Sequence, residues 1–207
     1  MLDLNGDYTF SQYFELQIPA DELITALGYT YERVTLPVTS TESNREAYPA
    51  RLKDLDAILK LTRTSNEQTK REVLVAPIVQ TLVLETGALL RVEYPLYVSP
   101  LLHGTLDYLI SKDGWRQLLV IEAKRNDLDY GFTQLAAQMI ALDQWQQAPP
   151  LEHQPILTAA VTTGETWKFG QLDRRTKALV EGINLLTIPE ESVAVLSVLS
   201  QGLAGTA

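Results

Sequence analysis

The apolar positions of the chain change period repeatedly. Leu52, Leu55, Ile58 and Leu59 recur at helical spacing and predict a helix from Pro49 to about Leu61. A second helix follows over about Asn66 to Glu85, with Ser65 as N-cap, Gln68 completing a capping box and Gly87 at its end. Pro77 lies inside it, so a kink or break is expected there. From Leu90 onward the pattern shortens to strand-length runs: Leu90–Val98, Leu106–Ser111, Gln117–Ala123, Ile156–Thr162 and Trp167–Leu172. Lys177–Val180 and Asn184–Ile188 read as two further short strands. Helical spacing returns over Gly131–Trp145, closed by Pro149-Pro150, and again after Pro189, where Val193, Leu196, Val198 and Leu199 turn inward. Ahead of all this stands an aromatic-rich leader. It holds a short helix opened by Pro19-Ala20-Asp21-Glu22 and stopped by Gly28, then an edge strand within Tyr29–Val38.

Strands alternating with helices predict an α/β fold with a mixed central sheet flanked by helices. The strand at Ile156 should run parallel to that at Gln117, since a helix connects them. The polar loop Ser40–Asn44 marks the best internal boundary. Residues 1–62 then form an N-terminal extension or helical subdomain packed on a core of residues 63–207.

One stretch carries charges where the pattern is most apolar. Leu118-Leu119-Val120-Ile121 is apolar on both alternating faces, as in a central strand, and runs straight into Glu122-Ala123-Lys124. Asp113-Gly114 is a strong hairpin signal between this strand and the one before it. A turn centred there pairs Lys112 with Trp115, sets Asp107 opposite Val120 and Thr105 opposite Glu122, and puts Asp107, Glu122 and Lys124 on one face. A four-residue loop leaves the face unchanged. Two converging carboxylates repel unless a cation lies between them or one takes up a proton. Oxygen ligands with open positions suit a hard divalent ion, magnesium or manganese, and a neighbouring lysine can orient or activate its water. That set fits phosphodiester hydrolysis.

Composition narrows the setting. The 207 residues are 45% apolar and 21% charged, with no cysteine, two histidines and a net charge of −9. Disulfides and thiolate metal sites are excluded, and a histidine-based metal site is disfavoured. No apolar run reaches membrane-spanning length and the start lacks a basic signal-peptide region, so a cytoplasmic protein is expected. The acidity argues against broad non-specific nucleic-acid binding. Any DNA contact has to come from a local patch, for which Lys112, Arg116, Lys124 and Arg125 are the candidates.

Gly104-Thr105-Leu106-Asp107, a hairpin, then Glu122-Ala123-Lys124 resembles the core of PD-(D/E)XK nucleases, the restriction endonuclease-like fold. Leu106 stands where the family name has proline, a variable position. Glu122 to Lys124 is the sole Glu-x-Lys of the chain. The helix with Glu67, Arg71, Leu74 and Pro77-Ile78, and the turn Thr162-Thr163-Gly164-Glu165-Thr166-Trp167, are similar to the N-terminal nuclease domain of type I restriction enzyme R subunits. The resemblance spans about residues 63–172. It implies a magnesium-dependent DNA endonuclease in which Asp107, Glu122 and the Ala123 carbonyl hold the ion and Lys124 positions the attacking water. It further implies a supporting glutamate, Glu67 with Glu72 as runner-up, and a supporting glutamine, Gln134 with Gln138 as alternative. A homodimer or a restriction–modification partner subunit would fit it. The rival reading is a nuclease-fold module that binds a partner and no longer cuts.

Overall fold

The computed structural model describes residues 3–38, 52, 54–64, 66–124 and 126–204. Its strands are β1 (Thr30–Val34), β2 (Leu89–Ser99), β3 (Leu102–Lys112), β4 (Gln117–Ala123), β5 (Ile156–Thr162), β6 (Thr166–Asp173) and β7 (Ala178–Thr187). Its helices are α1 (Phe10–Glu15), α2 (Ala20–Ala26), α3 (Leu55–Leu61), α4 (Glu67–Lys70), α5 (Ala76–Thr86), α6 (Leu128–Gln144) and α7 (Ser192–Ala204). The strands form one seven-stranded sheet in the order β1-β7-β6-β5-β4-β3-β2. The pairs β1–β7 and β4–β5 are parallel and the others antiparallel, so the fold is mixed α/β. No described helix is long and apolar enough to cross a membrane.

Strand β4 lies inside the sheet, and Leu118 to Ala123 are all buried. Its two apolar faces serve two cores. Leu118 and Val120 share one with α6, while Leu119 and Ile121 share the other with Ile78 and Leu82 of α5 and Leu199 of α7. Helix α6 is buried along its whole middle, Gly131 through Leu142. The sheet covers one side of it, and Phe10, Tyr13, Leu23 and Ile24 of α1 and α2 join its core from the other. Two-sided burial makes the helix apolar on most of its surface, with Thr133, Gln134 and Gln138 as buried polar exceptions.

Three details differ from the sequence-based expectation. The β3–β4 loop has four residues, since Lys112 pairs with Gln117 and Tyr108 with Ile121. Trp115 does not pair with Lys112. It packs instead among Tyr94, Trp145 and the Arg91 guanidinium, 4.1 Å from its ring, where its apolar area leaves water. The helix expected over Asn66–Glu85 changes pitch before Pro77: Arg71–Val75 form a π-helical turn, and the Ala76 amide donates to the Arg71 carbonyl. Proline has no N–H to give Val73, so a wider turn there loses no bond that proline could have made. The two short strands expected near the C-terminus are one, β7, with a bulge where Lys168 pairs with Leu185 but Gly170 with Glu181. The Asn184 side chain, a turn signal in isolation, bonds the Leu36 backbone on both sides at 3.0 and 3.2 Å. The expected boundary Ser40–Asn44, the helix start at Pro49 and the N-cap Ser65 lie outside the described residues.

Candidate active site at the end of strand β4

The paired register of β3 and β4 ends at Tyr108 and Ile121. One further step sets Asp107 opposite Glu122, directly rather than diagonally, because the longer loop shifts the pairing by two residues and keeps the face. In that next rung the Ala123 amide donates to Asp107 Oδ2 at 2.8 Å. On the other side of β4 the Lys124 amide donates to the Thr162 carbonyl of β5 at 2.8 Å. The strand end is thus held by a side chain on one edge and by backbone on the other. A strand residue's N–H and C=O point the same way, so the Ala123 carbonyl faces the Asp107 edge.

Glu122 is 2% exposed and lies under α6. Gln134 Nε2 donates to its Oε1 and Gln138 Nε2 to its Oε2, both at 2.6 Å. The resemblance offered these glutamines as alternatives; spaced one helical turn apart, they take one carboxylate oxygen each. Their amide oxygens are buried and accept nothing among the described residues, which makes them dedicated donors. Lys124 Nζ sits 3.0 Å from Glu122 Oε1 and 4.8 Å from the centre of the Phe14 ring. The ammonium is therefore fixed between a carboxylate and an aromatic face. Phe14, from the leader, is a site residue that no local pattern announces. Gly131 makes room for this lysine: a Cβ there would lie 3.2 Å from Lys124 Cγ and 2.9 Å from a Val161 methyl.

A third carboxylate joins the row. Val92 pairs with Tyr108 and Tyr94 with Leu106; between them the ladder skips Glu93, whose φ of 52° breaks the regular strand, and this leaves Glu93 near Asp107. Arg71, on the π-helical turn, reaches both: Nη1 lies 3.6 Å from Asp107 Oδ1, and Nη2 lies 3.7 Å from Glu93 Oε1. The guanidinium also stands over the Tyr108 ring, 5.4 Å from its centre. Glu93, Asp107 and Glu122 thus face Arg71 and Lys124, three negative groups against two positive ones. The pairing of β2 with β3 brings Glu93 near, and the helix that carries Glu67 brings Arg71, at the start of the π-helical turn. Burial, followed by the charge of Asp107, pushes the Glu122 carboxyl up to about 7, against the opposing pull of Lys124 and Gln138.

The remaining candidates are spread. Glu67, Glu72 and Arg71 line a cleft of about 710 Å³ together with Glu93 and Tyr108. Glu67 lies one turn from Arg71 on the same helical side, whereas Glu72 is exposed and accepts from Gln68 at 3.1 Å. The turn after β5 supports this helix. A Cβ on Gly164, at φ +91°, would lie 3.1 Å from Lys70 Cβ and 3.2 Å from Leu74 Cδ1, and Lys70 pairs with Glu165 at 3.4 Å. Lys112 and Arg116 flank the β3–β4 loop, at the opposite end of the hairpin from Asp107 and Glu122. Arg125 lies outside the described residues. No protein-family model matches the chain, and no curated protein does.

The donor set suits a hard divalent ion. Among the described residues Asp107 Oδ1 has only a long contact to Arg71, and Glu122 Oε2 keeps a lone pair beyond its amide bond, while Oε1 is taken by Gln134 and Lys124. Among the described residues no group of three or more acidic or imidazole side chains is placed to hold a metal ion.

Proposed function

We propose that this chain is a metal-dependent endonuclease hydrolysing DNA phosphodiester bonds, with a restriction endonuclease-like core akin to the type I R-subunit nuclease domain. The observation that carries the reading is Asp107 beside a buried Glu122 with Lys124 in contact, at the end of a central strand. A magnesium or manganese ion held there would polarise a phosphoryl oxygen and acidify bound water. The chain's own residues do the rest. Gln134 and Gln138 fix the Glu122 oxygens, and the Ala123 amide fixes Asp107. Phe14 and Glu122 hold the Lys124 ammonium, which orients the attacking water and meets charge developing on the phosphate.

The test is cleavage of supercoiled and linear DNA with magnesium or manganese. Lys124→Ala should lower the rate by about 10²–10⁴-fold, the scale of one positioned acid–base group, with manganese affinity retained in calorimetry. A wild-type protein that leaves DNA intact with either ion would remove the reading. One observation favours the rival, a module that binds a partner without cutting. The cleft beside Asp107 is lined by Glu67, Glu72 and Glu93 against the single cation Arg71, and phosphates are repelled by such a wall.

A further inference from the structure

We infer that Arg71 is the resident counter-cation of the carboxylate row, and that a divalent ion enters the proposed site by exchange with its guanidinium. The inference rests on the metal-site reading above and adds a role for a residue that this reading leaves unused. One guanidinium touches both Asp107 and Glu93, at 3.6 and 3.7 Å, and both contacts are longer than a good bidentate pair. It approaches Asp107 through Oδ1, the oxygen that the Ala123 amide leaves open. Without this charge Asp107 would stand beside Glu122 and Glu93 of the neighbouring strands with only Lys124 in compensation. With it, Asp107 stays in place at the strand end.

Arg71 also has somewhere to go. Its side chain is 20% exposed and borders the cleft of about 710 Å³, whose wall offers Glu67 and Glu72 as new partners. It opens a π-helical turn: its N–H still bonds the Glu67 carbonyl, while its own carbonyl accepts from Ala76 five residues on. Two positive groups cannot share Oδ1 without strong repulsion, so occupation by an ion and by Arg71 are alternatives. The guanidinium expelled into the cleft would then be the one cation of a lining that also carries Glu67, Glu72 and Glu93. It becomes available to an anion only after the ion has bound.

The test is manganese titration by calorimetry on the full chain, with wild type, Arg71→Met, Arg71→Lys and Asp107→Asn, each checked for folding by thermal melting. Exchange predicts that Arg71→Met binds manganese about 10-fold more tightly than wild type. Arg71→Lys, which keeps the charge and loses the fork, should fall between them and guards against a misfolded methionine variant. Asp107→Asn should lose binding. Equal affinities for wild type and both Arg71 variants, with binding still lost in Asp107→Asn, would overturn the exchange and leave the metal site standing. No binding by any form would remove the site and the exchange together.

Discussion

Two lysine–carboxylate clusters lie under helix α6 on the same face of the sheet, and they are built to opposite specifications. Glu122 of β4 pairs across the sheet with Val161 of β5, and Val161 with Lys168 of β6, so one valine separates them. In the second cluster Lys168 is 4% exposed and donates to Asp129 at 2.6 Å and Glu181 at 2.7 Å. Glu181 also accepts from the Tyr31 hydroxyl, and Arg33 stands 3.8 Å away. Two cations meet two carboxylates, and the Asp129 carboxyl is held below its usual range, first of all by its bond to Lys168. In the first cluster three carboxylates meet two cations, and the Glu122 carboxyl is pushed up, first of all by its burial and then by Asp107. The same residue types thus make a charge-balanced ion network in one place and a cluster one positive charge short in the other.

The contrast can be broken most forcefully at the lysines. Lys168→Met strands the buried Glu181 and should cost about 3–5 kcal/mol, measured by urea unfolding. Lys124→Met should cost less than half of that, because Glu122 keeps both glutamine donors and can take up a proton. Equal losses would mean the two clusters are energetically alike.

The next largest effect is on pH dependence. Glu122 holds its proton in the folded state up to about 7, whereas its usual value is 4.5. Between those values the folded chain binds more protons than the unfolded one, so stability falls as pH rises and levels off above the upper value. A shift of this size corresponds to at most about 3 kcal/mol between about pH 4.5 and pH 8. Glu122→Gln should remove that slope in metal-free protein, as read from unfolding curves at each pH. Asp129 acts with the opposite sign: its lowered value adds stability that is lost only as pH falls below the ordinary carboxylate range, outside this window. A wild-type curve parallel to that of Glu122→Gln would show that the first cluster is compensated after all.

Smaller effects sharpen the picture. Tyr31→Phe removes a hydroxyl donor from the buried Glu181 and should cost about 1–2 kcal/mol by the same unfolding measurement. Phe14→Leu removes the ring from beside the Lys124 ammonium and should cost only about 0.5–1 kcal/mol. If Lys124 has the proposed role, the same variant also slows DNA cleavage, and a rate equal to that of wild type would detach the leader from the site.

The sequence by itself determined much of this. Local periodicity marked β4 and β5 residue for residue, because a continuous apolar run bounded by polar residues has few other uses. Parity alone put Asp107, Glu122 and Lys124 on one face, and that survived a change of loop length because the side-chain period of a strand is two. The placing of Asp107 beside Glu122 follows from the four-residue loop, whose Trp115 packs against Tyr94 and Trp145. Glu93, Arg71 and Phe14 entered the site through contacts between elements far apart in the chain: a strand pairing, the helix that carries Glu67 and the docking of α1 on α6. The second lysine cluster was equally hidden, since Tyr31, Asp129, Lys168 and Glu181 come from four separate elements. Charge compensation sums over neighbours in space, and only the tertiary structure decides which neighbours a buried carboxylate has.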